Sequence, residues 1–204
     1  MPIKGIDVSH HQGNINWDKV TAAFVYLKAT EGETFVDHMF KKNWVGAQSA
    51  NIPVGAYHFF RPERDAGIQA RHFCNTIASV TGHRLPPVLD IEQTGGISQA
   101  LILTKVQKWL DYVEKATGQK PIIYSYVSFL KQVRLGKTFS DHPLWIAHYR
   151  VEKPSITGLG WADWTFWQYN DQGKIPGIIG NVSTDDTDDF LSLMRAIAND
   201  LSVT

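Results

Sequence analysis

The sequence predicts an α/β fold, an irregular TIM-like barrel of the (β/α)5(β)3 type, and three observations support this prediction. Short β-rich runs recur along the 204 residues, and amphipathic helical segments separate the early runs. This alternation is typical of βα units around a largely parallel sheet. After the sixth run the alternation stops, and loops containing Gly and Pro connect the remaining runs.

The individual elements follow from these runs in chain order. We expect strands over residues 3–9, 24–30, 52–60, 86–92, 120–126, 143–149 and 164–169, with a weaker eighth near 183–190. Apolar spacings of three and four predict crossover helices over 16–24, 38–50, 64–80 and 99–118, a shorter one around 128–134, and a terminal helix over 189–201. Because no linker interrupts this order, residues 1–204 are predicted to form a single domain.

Composition and charge argue against several classes of partner. Twenty Lys and Arg balance twenty Asp and Glu, so we expect neither a nucleic acid nor an acidic membrane surface as partner. Cys74 is the only cysteine, which rules out an internal disulfide. No apolar run in the sequence approaches the ~18 residues of a membrane span. We expect a monomer that needs no cofactor.

Two carboxylates end the predicted strand PPVLDIE, residues 86–92. Side chains alternate between the two faces of a strand, so Asp90 and Glu92 share one face while Leu89 and Ile91 share the other. In a barrel the apolar pair would face the helices, and the carboxylates would face the mouth of the lumen. Active sites of such barrels form at this C-terminal end of the strands.

Other predicted strands also end in polar or aromatic side chains. A barrel built for stability alone does not need acids at several strand ends, since a buried charge costs free energy unless it is paired. The further candidates for a site are Asp7, Glu31, Tyr57, Tyr124, Trp145, Tyr149, Trp167 and Gln168. For Glu31, within TEGE, a solvated loop position and a substrate contact are equally open.

Two carboxylates beside a cleft are the minimal apparatus for hydrolysis of a glycosidic bond. One stays protonated and donates to the leaving oxygen, and the other stays ionised and supports the positive transition state. Close like charges push the two pKa values apart, which divides these roles. Aromatic side chains suit the apolar faces of sugar rings. The same residue types remain compatible with other hydrolases.

Five motifs, GIDVSHHQG, KATEG, GAYHFF, PPVLDIE and WQY, resemble those of the Chalaropsis-type lysozymes, glycoside hydrolase family 25. The resemblance covers nearly the whole chain in the same order. It implies one catalytic domain over residues 1–204, an irregular barrel of eight strands and five helices, and hydrolysis of the β-1,4 bond between N-acetylmuramic acid and N-acetylglucosamine. The implied partner is therefore bacterial peptidoglycan.

The resemblance also implies roles for individual acids. Glu92 matches the general acid, and Asp90 matches the residue that assists the N-acetyl group of the substrate as internal nucleophile. Asp7 matches a third acid of the cleft. The C-terminal pattern of the family reads TDDTDDF in this chain, and counting back from the Phe selects Asp186 as a fourth, substrate-binding acid, with Asp185 as the alternative.

The adjacent His10 and His11 do not predict a metal site. Neighbouring residues on a strand point to opposite faces, and no His-x-x-x-His pair or Cys cluster supports zinc. We therefore expect no metal, and a hydrogen-bonding role for one of the two histidines.

Other functions and the cellular location remain open in the sequence. A silent barrel that only binds glycans would not need a protonated acid. A deacetylase would need His and Asp metal ligands, which the motifs lack. The first residues show no signal-peptide pattern. Action on the cell wall outside the cytoplasm would then require another export route, such as release by a phage, or a trimmed form.

Overall fold

The computed structural model describes residues 3–82 and 84–187. The strands within these ranges form one curved sheet that closes on itself. Its strands are β1 Ile3–Val8, β2 Val25–Glu31, β3 Phe35–Val36, β4 Val54–Phe59, β5 Val88–Asp90, β6 Ile122–Tyr126, β7 Leu144–Ala147, β8 Phe166–Gly173 and β9 Val182–Thr187. Each predicted strand has a counterpart in this set. The eighth prediction corresponds to β9, and its last residues, 188–190, lie outside the described ranges.

Eight of these strands form the barrel, because β3 only extends the end of β2 as a short antiparallel hairpin. The chain runs in parallel through β1, β2, β4, β5, β6, β7 and β8. The last strand, β9, inserts antiparallel between β8 and β1 and closes the ring. The predicted irregular α/β barrel is confirmed.

Helices cover the outside of the early strands. They are α1 Phe40–Ser49, α2 Ala66–Ile77, α3 Gln99–Thr117, α4 Val127–Val133 and the single turn α5 Gly136–Phe139. Asp65 and Ser98 cap α2 and α3, since each side chain accepts a hydrogen bond from the backbone N–H three residues on. Gly118 ends α3 in the left-handed conformation, at φ 71°.

The predicted helix over 16–24 is wrong, because only the turn Trp17–Lys19 forms there, as a 3-10 helix. The connection between β1 and β2 is short, and a second 3-10 turn, His10–Gln12, uses part of it. Trp17 and Val20 pack separately into the outer core rather than along one helical stripe. The predicted terminal helix over 189–201 lies outside the described residues.

The apolar core has two layers, which follow from the alternation of side chains along the strands. The outer layer lies between the strands and the helices and contains Leu89 and Ile91. The inner layer fills the lumen with aromatic rings such as Phe24, Tyr26 and Trp145. Gly5 and Gly55 make room for it, since a Cβ at either position would lie 2.2 Å from the ring of Phe24 or of Tyr26.

The helices of the described ranges are also too short or too polar to cross a bilayer.

Candidate active site

A cavity of about 280 Å³ opens at the C-terminal mouth of the barrel, directly above the aromatic layer of the lumen. Predicted site residues that line it are Asp7, Tyr57, Asp90, Glu92, Tyr124, Trp145, Tyr149 and Gln168. Three predicted site residues, Glu31, Trp167 and Asp186, do not line it. The structure therefore brings most of the predicted strand-end residues to one place.

Backbone hydrogen bonds hold Asp90, the last residue of β5, and Glu92, two residues beyond it, at the mouth. The Asp90 carbonyl accepts the N–H of Phe60 at 2.8 Å, and the Ile91 N–H donates to the Tyr124 carbonyl at 3.1 Å. The Tyr126 hydroxyl donates to the Glu92 carbonyl at 3.1 Å. The backbone that carries the two carboxyls is therefore hydrogen-bonded to neighbouring segments on both sides.

The Asp90 and Glu92 carboxyls affect each other's pKa. Burial raises the pKa of Asp90 well above its usual value, and the Glu92 charge and the hydrogen bond to Glu92 raise it further. Burial also raises the pKa of Glu92, although the hydrogen bond from Asp90 and the charge of Lys28 partly offset this effect. Asp90 is 6% exposed and Glu92 is half-buried. Burial and the neighbouring carboxyl therefore favour the protonated form of Asp90, and the two acids titrate as a pair.

Asp7 and Gln168 form the opposite wall of the cavity. The Gln168 amide donates to Asp7 Oδ2 at 2.5 Å, and its carbonyl oxygen accepts the hydroxyls of Tyr124, at 2.8 Å, and Tyr149. Burial raises the pKa of Asp7 to about 6, against the opposing effect of the hydrogen bonds from Gln168 and Ser183. These contacts fix the amide orientation of Gln168 and aim its N–H at the acid.

Of the two adjacent acids on β9, the structure brings Asp185 rather than Asp186 toward the lumen. Asp185 is fully buried below the cavity and accepts the indole N–H of Trp145 at 3.0 Å. Burial first, and then the Asp7 charge, raise the pKa of Asp185 well above its usual value, so that Asp185 donates to Asp7. Asp186 alternates to the other face, opposite Trp167 of β8. Counting back from the Phe had selected Asp186.

Glu31 lies on the rim of the cavity, between two cations. It binds Lys28 Nζ at 2.6 Å and Arg61 Nε at 2.9 Å. Burial would raise the pKa of Glu31, but the hydrogen bonds from Lys28 and Arg61 outweigh this effect and lower it. Lys28 itself lines the cavity, so Glu31 acts on the site through the position of Lys28.

Trp167 faces away from the cavity, because its neighbour Gln168 occupies the lumen face of β8. Its indole N–H donates to the His148 carbonyl at 2.8 Å, and its ring packs against the outer core. His58 faces outward as well and stacks on Trp109 with ring centroids 5.6 Å apart.

Several residues of the cavity wall were not predicted from the sequence. They are Ser9, His11, Lys28, Phe59, Val88 and Ser183. A signal existed for Lys28, which shares the lumen face of β2 with Tyr26 at a spacing of two. For Ser9 and His11 no such signal existed, since both belong to an irregular turn. In the described ranges, one group of side chains could hold a metal ion, and it lies beside the cavity at His10, Asp37 and His38.

A pair of carboxyls at the C-terminal mouth of a barrel is an arrangement that glycoside hydrolases use. The sequence model for Glycosyl hydrolases family 25 matches residues 6–178. The chain belongs to this family.

Known relatives agree with this assignment. The chain is 40% identical to "Uncharacterized protein YegX" of Escherichia coli K12 over 88% of this chain and 67% of that protein. It is 35% identical to "Lysozyme M1" of Streptomyces globisporus over 97% of this chain and 71% of that protein. A crystal structure of the bacterial lysozyme from Streptomyces coelicolor superposes with a TM-score of 0.89 at 32% identity and covers 98% of this chain and 99% of that one.

Proposed function

We propose that the protein is a muramidase, which hydrolyses the β-1,4 bond between N-acetylmuramic acid and N-acetylglucosamine in bacterial peptidoglycan. The observation that carries the proposal is the pair of carboxyls with raised pKa, Asp90 and Glu92, at the barrel mouth of a family 25 chain. Such a pair supplies both the acid and the carboxylate that glycoside hydrolysis needs.

Glu92 acts as the general acid. It is the less buried member of the pair and stands nearer to a substrate that enters from the mouth. Because the raised pKa of Asp90 favours its protonated form, a proton held there has to move to Glu92 before the reaction. An N-acetyl group whose amide N–H donates to Asp90 favours the ionised form of Asp90, which drives the proton along the existing hydrogen bond to Glu92.

After this shift, Asp90 orients the N-acetyl group as an internal nucleophile, and its negative charge stabilises the positive charge that develops in the transition state. Glu92 protonates the leaving oxygen. The resulting Glu92 carboxylate then acts as the base that activates water in the second step. Asp7, held by Gln168 across the cavity, adds negative potential on the opposite side of the sugar ring.

Aromatic walls supply the binding contacts. Tyr57, Tyr124, Trp145 and Tyr149 line the cavity together with Gln168. Tyr149 is 37% exposed, so its ring can cover a sugar face, whereas Trp145 forms the floor. We assign substrate contact to these five residues, since Glu31, Trp167 and Asp186 do not line the cavity.

The site of action is the cell wall outside the cytoplasm, and the working unit is a monomer. The supporting argument is that this chain itself supplies both carboxyls, Asp90 and Glu92, on which the proposed reaction depends. Sedimentation at working concentration tests the monomer.

The central experiment is digestion of purified peptidoglycan by wild type and Glu92→Gln, with mass analysis of the fragment ends. Fragments that end in reducing muramic acid, released by wild type and at least roughly 10³-fold more slowly by the variant, are the expected result. Binding of glycan strands without cleavage by wild type would instead identify a glycan-binding barrel. Activity that EDTA abolishes would favour a metal-dependent hydrolase.

A second experiment tests the internal nucleophile. Glycan strands whose muramic acid lacks the N-acetyl group lose the nucleophile, so cleavage should stop although binding persists. Cleavage at the normal rate would contradict this mechanism. Proton NMR of the first-formed product should show the β anomer, because a two-step mechanism retains configuration.

A further inference from the structure

Beside the cavity, three side chains with metal-binding atoms converge from two separate parts of the chain. They are His10, in the 3-10 turn after β1, and Asp37 and His38, which precede α1. One potential ligand atom from each lies within 4.8 Å of the other two. None of the three lines the cavity that we assign to catalysis.

Asp37 is the fixed point of this cluster. Its carboxylate is fully buried, and it accepts the backbone N–H groups of His10 and Met39, both at 2.9 Å. The His10 ring Nδ1 lies 2.7 Å from Asp37 Oδ2. The backbone bonds hold the carboxylate in place, so its orientation toward the imidazole does not depend on an ion.

The two imidazole side chains can be reached by an ion from solvent, and they can adjust their positions. The His10 side chain is 26% exposed, and His38 lies at the surface. Their ring centroids are 5.3 Å apart. A tetrahedral ion with ligand bonds of about 2.0–2.1 Å separates its donors by about 3.3 Å. The 2.7 Å contact between His10 Nδ1 and Asp37 Oδ2 is shorter than this spacing, so an ion that binds both atoms has to replace the proton between them. The exposed His38 side chain is the third ligand, and it can move toward the ion.

The donor set selects the class of ion. Two imidazole nitrogens and one carboxylate oxygen suit Zn²⁺, Cu²⁺ and Ni²⁺, whereas Ca²⁺ and Mg²⁺ prefer a full set of oxygen ligands. Three protein ligands leave one coordination position for water.

We propose that His10, Asp37 and His38 form a binding site for one borderline divalent transition-metal ion, Zn²⁺ above all, at the edge of the catalytic cavity. The proposal does not depend on the function of the barrel. A bound ion ties the turn that follows β1 to the segment that precedes α1. That turn also carries Ser9 and His11, which line the catalytic cavity, so the ion holds one part of the cavity wall in place.

The test is titration of untagged, metal-free protein with Zn²⁺, followed by isothermal calorimetry and by metal analysis after dialysis. Wild type should bind one Zn²⁺ per chain, and Zn²⁺ should raise its Tm. His38→Ala should weaken the binding at least tenfold and abolish the rise in Tm. Because His38 is exposed, this variant should fold normally, which its Tm without metal checks.

His148→Ala is the matched control, because it removes another partly exposed histidine, outside the cluster. It should bind Zn²⁺ like wild type. His10→Gln gives a second test from the other side of the cluster and should weaken binding as His38→Ala does. The visible absorption of bound Co²⁺ should report nitrogen ligation in wild type and be lost in both cluster variants. Absence of saturable binding by wild type, or equal binding by wild type and His38→Ala, would overturn the proposal.

Discussion

Asp90 and Glu31 stand at the C-terminal ends of two parallel strands of the barrel, β5 and β2, which β4 separates, yet their surroundings are opposite. Asp90 is buried against another carboxyl, and its pKa is raised. Glu31 lies between Lys28 and Arg61, and its pKa is lowered. The surroundings of Asp90 favour its protonated form, and those of Glu31 favour its ionised form.

The difference shows that position in the fold does not decide what an acid at a strand end does. Burial raises the pKa of both groups, and the neighbours decide the outcome. A like-charged partner leaves a mobile proton, as acid catalysis requires. Two neighbouring cations favour the ionised form of the acid, so that Glu31 holds Lys28 in place through an ion pair. The following predictions, ordered by expected effect, test this contrast.

Removal of the charge from the buried pair should have the largest effect. Asp90→Asn leaves no carboxylate to orient the N-acetyl group and should lower the rate of peptidoglycan cleavage roughly 10²–10³-fold. The pKa of Glu92 should also change, which the pH profile of the residual activity reports. Asp141→Asn, at an exposed acid before β7, is the control and should cleave at the wild-type rate. Comparable losses in both variants would show that the effect is not local.

Asp7 should give an intermediate effect, on stability. Its pKa is raised from 3.8 to about 6, so its contribution to the free energy of unfolding is fully present below pH 3.8 and is lost as the pH rises through 6. Asparagine does not ionise, so Asp7→Asn removes this loss of stability with rising pH. Relative to wild type, the variant should therefore gain up to about 3 kcal/mol between pH 4 and pH 7. Urea unfolding at both pH values measures the gain, and a constant difference would contradict the raised pKa.

Glu31 should give the smallest effect, with the opposite sign. Its lowered pKa means that its contribution to stability is present above about pH 4.5 and is lost as the pH falls below this value. Glu31→Gln should cost about 1 kcal/mol at pH 7, because solvent screens the ion pairs at the rim. The difference from wild type should shrink toward pH 3. Thermal unfolding of both proteins across this range checks the sign, and a stabilised variant at pH 7 would refute it.

Much of the barrel follows from local sequence patterns. Alternation along PPVLDIE correctly placed Leu89 and Ile91 outside, and Asp90 at the mouth, because a strand has only two faces. The helix predicted over 16–24 does not form. The spacing of apolar residues there arises because Trp17 and Val20 are buried separately, and not along one face of a helix. Tertiary packing overrides a weak local preference in such short connections.

The details of the site depended on register and on contacts between distant segments. Counting from Phe190 selected Asp186, but the pairing of β9 with β8 sets Asp185 opposite Gln168 and thus toward the lumen. A shift of one residue along a strand reverses its faces, so the motif alone did not resolve the two acids. Similarly, adjacent histidines gave no indication of His38, which only the folded chain brings to His10.

The antiparallel pairing of β1 with β9 also determines the stage of folding at which the site is complete. Asp7 belongs to the first strand and Asp185 to the last, so nearly the whole described chain separates two side chains that hydrogen-bond to each other. Such distant pairings form late, since the entropy of closing the chain has to be overcome first. Asp90 and Glu92 are therefore synthesised on the ribosome well before the residues that complete the cavity wall. We expect the nascent chain to remain inert toward glycans until its last strand has docked.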